Sequence, residues 1–238
     1  PVSRHEIPAD VSITGASLGL PGLKTLFEED AIENLFNGQN MIHPLPQSTL
    51  DAQATNRITR LYKRPDGSAE MMEVTDPAET IKLAGQAGAF DLPEERGVPK
   101  RMAEAMDKMS QMAFAAGLEA LRDARLPLLP RYRETTTGKK ITVGWRLPEE
   151  IGKRTGVIFA SVFSGLDALA EEMTARYTDP EYKFNHRLLT RIISMGHSRF
   201  AEYIGATGPN MHVNAACATS TAALGMASDW IRLGRCDR

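Results

Sequence analysis

An α/β layered fold is what this sequence predicts. Short β-branched runs alternate with helix-like runs along the whole chain, and Gly, Pro and Asp clusters punctuate the boundaries. At 238 residues the chain is also long enough to bury a sizeable core. The first run, "VSITGASLGLPG", reads as a buried strand ending in a glycine-rich turn, with a helix following at about Glu28 to Asn37. Irregular sequence follows from Met41 to Thr75. Within it "ITRLYK" and "AEMMEV" flank "RPDGS", which predicts a hairpin on a Pro-Asp-Gly turn. "PAETIKLAGQAGAFDLPEERGVP" reads as helix, then loop.

The clearest amphipathic helix spans Lys100 to Ala124, with Met102, Met106, Met109 and Ala113 on one stripe, a pattern expected of a core-facing helix. "RLPLLPRYRETTTGKKITVGWRLPEE" reads as a long polar connection with a hairpin about "TTTGKK". "TGVIFASVF" is strongly β-branched and predicts a strand buried on both faces. Helices are expected at Gly165 to Tyr177 and at about Arg187 to Ile204, separated by a linker at "TDPEYKF". "MHVNAA" is the last predicted strand, and Cys217 to Leu233 the last helix. No repeat or low-complexity tract interrupts the pattern.

Composition narrows the function classes. Hydrophobic residues make up 42% and charged residues 24%, as in ordinary soluble globular proteins. A formal charge of -2 gives no basic field, so neither nucleic acid nor a membrane surface is an expected partner. The longest stretch free of Asp, Glu, Lys and Arg runs from Tyr203 to Ser228. It contains "GATGPN" and many hydroxyls, and does not read as a membrane span. Two cysteines, Cys217 and Cys236, suggest neither a disulfide framework nor a metal site, and fit a reducing, cytoplasmic setting. The amino end "PVSRHEIPAD" has no initiator Met and no signal-peptide core, so the chain is expected to be a piece of something longer.

Two stretches invite a chemical reading. In "ITGASLGLPG", a strand, Thr14-Gly15-x-x-x-Gly19 and a helix would approach the turn by which short-chain reductases hold a dinucleotide pyrophosphate. The last glycine of that pattern is replaced by Pro21. No tyrosine has a lysine four residues later, so the proton-donor pair is missing as well. A tight strand-to-helix turn is the plainer reading.

The second stretch is "HVNAACATSTAALGMASDWIRLGRCDR". If "HVNAA" is a strand and a helix starts at Cys217, the thiol lies where unpaired N–H groups and the helix dipole favour a thiolate. The same N–H groups could hold the oxyanion formed when a thioester carbonyl is attacked. The helix carries no charge between Cys217 and Ser228, and Ala218, Ala222, Ala223 and Ala227 permit close approach, so it is expected to be buried nearly all round. Position alone leaves Cys217 open between a buried small residue and a nucleophile. Cys236 reads as a small core residue. His212, five residues before Cys217, is expected on the opposite face. His5, His43, His186 and His197 lack motifs and read as surface or interface residues, so no base for Cys217 is evident.

"GPNMHVNAACATSTAALGMASDWIRLGRCD" resembles the active-site segment of the β-ketoacyl synthases, the condensing enzymes of fatty acid and polyketide synthesis. The resemblance lies in Gly208-Pro209 before the strand, Asn214-Ala215-Ala216-Cys217-Ala218-Thr219 after it, and Gly234-Arg235-Cys236-Asp237 beyond the helix. "VSITGASLGLPG" resembles the family's first strand and turn. "GAFDL" with "AMDKMSQMAFAAGLEALRDA" is similar to its Phe-Asp loop and following helix, and "TGVIFAS" to the next core strand.

The resemblance spans nearly all of 1–238 and implies the N-terminal half of a ketosynthase domain. The fold it implies is thiolase-like, with α-β-α-β-α layers in two similar five-strand halves, paired as a homodimer. Cys217 is then the acylated nucleophile, its N–H part of the oxyanion hole, and two catalytic histidines are expected beyond Arg238. No tightly bound cofactor or metal is implied. Substrates would arrive on the phosphopantetheine of an acyl carrier protein, and other domains of a multienzyme are further partners. A non-catalytic scaffold or dimerisation piece, or a thiolase-type acyl-CoA enzyme, would share much of this pattern. A short-chain NAD(P) reductase is the more distant alternative. Lys108 stands where proline is common and Asn214 where Asp is common, and neither is expected to touch the chemistry directly. The segments around Ile58 to Val74 and Arg131 to Arg146 look inserted.

Overall fold

The computed structural model describes residues 10–28, 30–193 and 195–238. These form two compact units, Leu18–Phe90 and a larger one comprising Asp91–Arg238 with the described residues before Leu18. His5 and its expected surface position lie outside the described residues.

The Leu18–Phe90 unit is short in regular structure. It holds α1 (Ala31–Phe36), β1 (His43–Pro44), α2 (Gln47–Thr55), β2 (Thr59–Lys63), β3 (Ala69–Glu73) and β4 (Leu83–Ala84). The antiparallel pairs β1–β4 and β2–β3 are separate two-stranded sheets. The β2–β3 hairpin is the predicted one. Gly67 takes φ 84°, the Arg64 and Ser68 backbones close the turn, and the Asp66 carboxylate accepts from both the N–H and hydroxyl of Ser68. The helix expected after Pro77 shrinks to a single 3₁₀ turn, Pro77–Glu79, capped by the Asp76 side chain.

The larger unit continues with α3 (Leu92–Arg96), α4 (Lys100–Ala103), α5 (Lys108–Asp123), the hairpin β5 (Leu129–Glu134) and β6 (Lys140–Arg146), then α6 (Glu149–Lys153) and β7 (Val157–Ala160). After these come α7 (Leu166–Thr178), α8 (Leu188–Ile192), α9 (Gly196–Ile204), β8 (Asn210–Val213) and α10 (Thr219–Arg232). β7 and β8 pair in parallel, with Phe159 opposite His212. The core gathers where α5 and α9 meet. Phe114 stands edge-on to Phe200 and Tyr203, with ring centroids 5.0 and 5.1 Å apart, and Phe159 adds a contact from β7 at 5.6 Å. Gly117 makes room for this packing, since a Cβ there would lie 2.6 Å from the Phe200 ring.

Several expectations are corrected. The helix foreseen over Lys100 to Ala124 is two helices. Buried Asp107 caps α5 by accepting from the Ser110 N–H at 3.0 Å and its hydroxyl at 2.6 Å, so the turn before it cannot continue the helix. The methionine stripe breaks with it, because Met106 is buried and Met109 is exposed. The helix foreseen over Arg187 to Ile204 likewise divides into α8 and α9. β7 buries only the Val157 and Phe159 face, with Ile158 and Ala160 half-buried. Residues 10–20 form no strand. The Ala16 N–H donates to the Asp123 carboxylate instead of a ladder, and Gly15 lies so close to α5 that a Cβ would sit 2.4 Å from the Ala120 carbonyl oxygen. A cavity of about 510 Å³ is lined by Ile13, Thr14 and Phe159, and the stretch pairs with no strand.

Candidate active site

Cys217 stands on a tight turn between β8 and α10. The turn passes through a 3₁₀ segment at Ala216–Ala218 that precedes the α-helix proper. Ala216, the residue before the cysteine, takes φ 49°, a conformation that costs a non-glycine residue about 1 kcal/mol or more and persists only when its surroundings impose it.

Two side chains impose it. Buried Thr219 donates its hydroxyl to the Ala216 carbonyl at 2.6 Å and accepts from the Ala215 N–H at 2.9 Å. The Asn214 side chain accepts from the Ala216 N–H at 3.1 Å, and its amide donates to the Val162 carbonyl at 2.9 Å. The turn is thus tied to its own helix and to the loop leaving β7. Both anchors escaped the sequence reading. Asn214 is expected not to touch the chemistry directly, yet a residue three before a candidate nucleophile can bond the backbone that presents it.

The turn holds Cys217 out to solvent, which removes the reading of this thiol as buried core. No side chain caps the start of α10, but its first N–H, on Thr219, already donates to the Ala216 carbonyl, and the Ala218 N–H before it donates to the Ala215 carbonyl at 3.0 Å. An exposed thiol is therefore presented just ahead of the positive end of a helix of 14 residues.

α10 itself departs from expectation. Only Thr219 and Trp230 are buried, Leu224 is exposed, and a Cβ built on Gly225 would meet no atom within 4 Å. The helix packs one face on β7 and β8. Ala222, Ala223 and Ala227 are half-buried and Ala218 is exposed, and nothing in the described chain covers the other face.

The remaining candidates sort clearly. Cys236 is buried beside Gly156 and Trp230, where desolvation pushes its thiol up from the ordinary range. That suits the core role expected of it. His212 shares its Nε2 with the Ser161 hydroxyl at 2.8 Å and with the Ser164 hydroxyl at 3.4 Å, and its ring stacks on His197 at 6.2 Å. No described residue is hydrogen-bonded to the Cys217 thiol as a base. The glycine turn at Thr14 to Gly19 has no helix behind it, since α1 starts only at Ala31, so the geometry of a dinucleotide turn is not formed. Among the described residues no group of His, Cys, Asp and Glu could hold a metal ion, and no helix is long and apolar enough to cross a membrane.

A strand, a strained turn and an exposed cysteine before an uncapped helix can be compared with known proteins. The family described as Beta-ketoacyl synthase, N-terminal domain, matches residues 9–238. The chain belongs to the β-ketoacyl synthase family. No curated protein matches it. Among solved structures it is similar to the ishigamide ketosynthase/chain length factor, with a TM-score of 0.58 and 17% identity over 94% of this chain and 49% of that one. It is also similar to an oxazolomycin ketosynthase domain of Streptomyces albus JA3453, with a TM-score of 0.53 and 18% identity over 94% of this chain and 32% of that one. The likeness places the fold in the thiolase-like α/β class, here with short sheets. The chain spans about half the length of the first of these structures and about a third of the second.

Proposed function

We propose that the chain supplies the acyl-accepting cysteine of a β-ketoacyl synthase, and that Cys217 is its nucleophile. The observation that carries this is the exposed Cys217 on the strained Ala216 turn, ahead of the N-terminus of α10. In the reaction, the Cys217 thiolate attacks the carbonyl of an acyl thioester carried on the phosphopantetheine of an acyl carrier protein. The tetrahedral oxyanion rests in part on the Cys217 N–H. Collapse breaks the carrier's C–S bond, and the released carrier thiolate takes the proton given up by Cys217. Condensation then joins the acyl group to the carbanion left when a malonyl thioester loses carbon dioxide, and the Cys217 thiolate departs. No tightly bound cofactor enters these steps.

Substrate-carrier recognition, homodimer formation and association with other domains of a multienzyme belong to the same reading. Decarboxylation calls for histidines, and the described histidines have other contacts or none with Cys217. The 1–238 protein is therefore expected to accept an acyl group without condensing it. Incubation with an acyl thioester at neutral pH should add one acyl mass to the protein, located on the peptide containing Cys217. Cys217→Ala should abolish the adduct, and Cys236→Ala should leave it. An adduct that survives Cys217→Ala, or no adduct on a folded protein, would contradict the assignment and favour a scaffold role. Formation of a β-keto product by the 1–238 protein would overturn the division of labour.

A further inference from the structure

A second cavity, of about 470 Å³, opens in the larger unit and shares no lining residue with the Cys217 turn. Its basic residues come from three elements. Arg101 is on α4, His186 and Arg187 lie at the start of α8, and Arg199 is on α9. Pro99, Met102 and Ala105 supply apolar wall, and Thr190 adds a hydroxyl that donates to the Arg187 carbonyl at 2.8 Å.

Carboxylates pair with two of the three arginines and leave the cavity a net positive charge. Glu104 pairs with Arg187, and Glu202 pairs with Arg199 at 3.2 Å. Arg101 has no carboxylate partner among the described residues. The Arg199 Nε is buried without a hydrogen-bond partner. Like charges gathered around one concavity repel, and such a cluster is stabilised by an anion that bridges it. Guanidinium groups fit the paired oxygens of phosphate better than any other side chain. The volume lies in the range of small-molecule sites, and the apolar wall leaves room for more than the anion.

We propose that this cavity is a binding site for a phosphate ester whose body is short and partly apolar. The phosphate sits among Arg101, Arg187 and Arg199, and the body lies along Met102 and Ala105. A phosphopantetheine arm and a free phosphorylated metabolite both carry this chemistry. The site stands apart from the Cys217 reading and does not depend on it.

Calorimetric titration of the full chain with 4′-phosphopantetheine and with pantetheine tests the proposal. The phosphorylated compound should bind at least about tenfold more tightly, a gap that narrows as salt rises. Exposed Arg101→Glu should remove that preference, and Arg187→Ala should weaken it, with circular dichroism confirming that each variant folds. Cys217→Ala should leave it intact, so a failure of acylation and a failure of phosphate binding remain separate results. Competition by inorganic phosphate assigns the site to the phosphate alone. Lack of competition, with phosphopantetheine still bound, assigns it to the whole ester. Equal binding of the two pantetheines overturns the proposal, as does a preference that survives Arg101→Glu and Arg187→Ala.

Discussion

The hairpins β2–β3 and β5–β6 are alike in local design and unlike in attachment. Each closes on a turn whose glycine takes positive φ, Gly67 in the first and Gly138 in the second. Every residue of β2 and β3 is exposed. β5–β6 instead lays Gly144 against the fully buried Tyr203, with φ 134° and a bulge at Arg131/Tyr132 turning the strands for that contact. Turn chemistry is enough to shape a hairpin, but an isolated pair is marginal in water, and stability comes from what it is fastened to.

The largest test of that contrast is Gly144→Ala. A Cβ at this position would lie 2.4 Å from the Tyr203 ring, and the backbone conformation is one that L side chains rarely adopt. Tyr203 is packed edge-on to Phe114 and cannot swing aside. The change should cost roughly 2–4 kcal/mol in urea unfolding followed by circular dichroism. A loss below about 0.5 kcal/mol would show that β6 is not held on α9.

Arg131→Ala is a smaller test of the same attachment. The Arg131 guanidinium donates to the Glu202 and Tyr203 carbonyls, both at 3.3 Å, in the last turn of α9. A cation there also meets the negative end of the helix dipole. These bonds are long, so a loss of about 1 kcal/mol is expected, with Arg131→Lys recovering part of it. Equal stability of the Ala and wild-type proteins would leave Gly144 as the whole of the attachment.

Both hairpins were legible in the sequence because a turn is specified by adjacent residues, Pro65-Asp66-Gly67 in one and Thr137-Gly138 in the other. So were β7, α7, β8 and α10 in their order, and the position of Cys217 at a strand-to-helix junction, whereas α3 and α6 fall in stretches that read as loop and connection. The break before α5 was not. Hydrophobic period runs on through Met102, Met106 and Met109, while the stop is set by Asp107 reaching Ser110. Nor could periodicity show that residues 10–20 would be left without a partner strand, or that α10 would pack one face only. An uncharged helix reads the same whether or not something covers it. At the site, residue type and family likeness pointed to Cys217. Its supports, Asn214 and Thr219, act through hydrogen bonds to backbone that no residue pattern displays.

The smallest expected effect is at β2–β3, and it bears most directly on the contrast. Leu61 and Met71 face one another across the pair, and both are more than half exposed. Truncating β5–β6 contacts should be costly because a core is disturbed. Replacing Leu61 or Met71 with Ser removes only a cross-strand contact that water already reaches. Each single change should alter unfolding stability by under about 0.5 kcal/mol, and the double change by less than about 1 kcal/mol. Loss of several kcal/mol from Leu61→Ser would mean that this face is packed against something in solution, and the two hairpins would then be anchored alike. The expected null in β2–β3, set beside the large loss at Gly144, would instead place the difference between them in tertiary attachment, since their turns are built the same way.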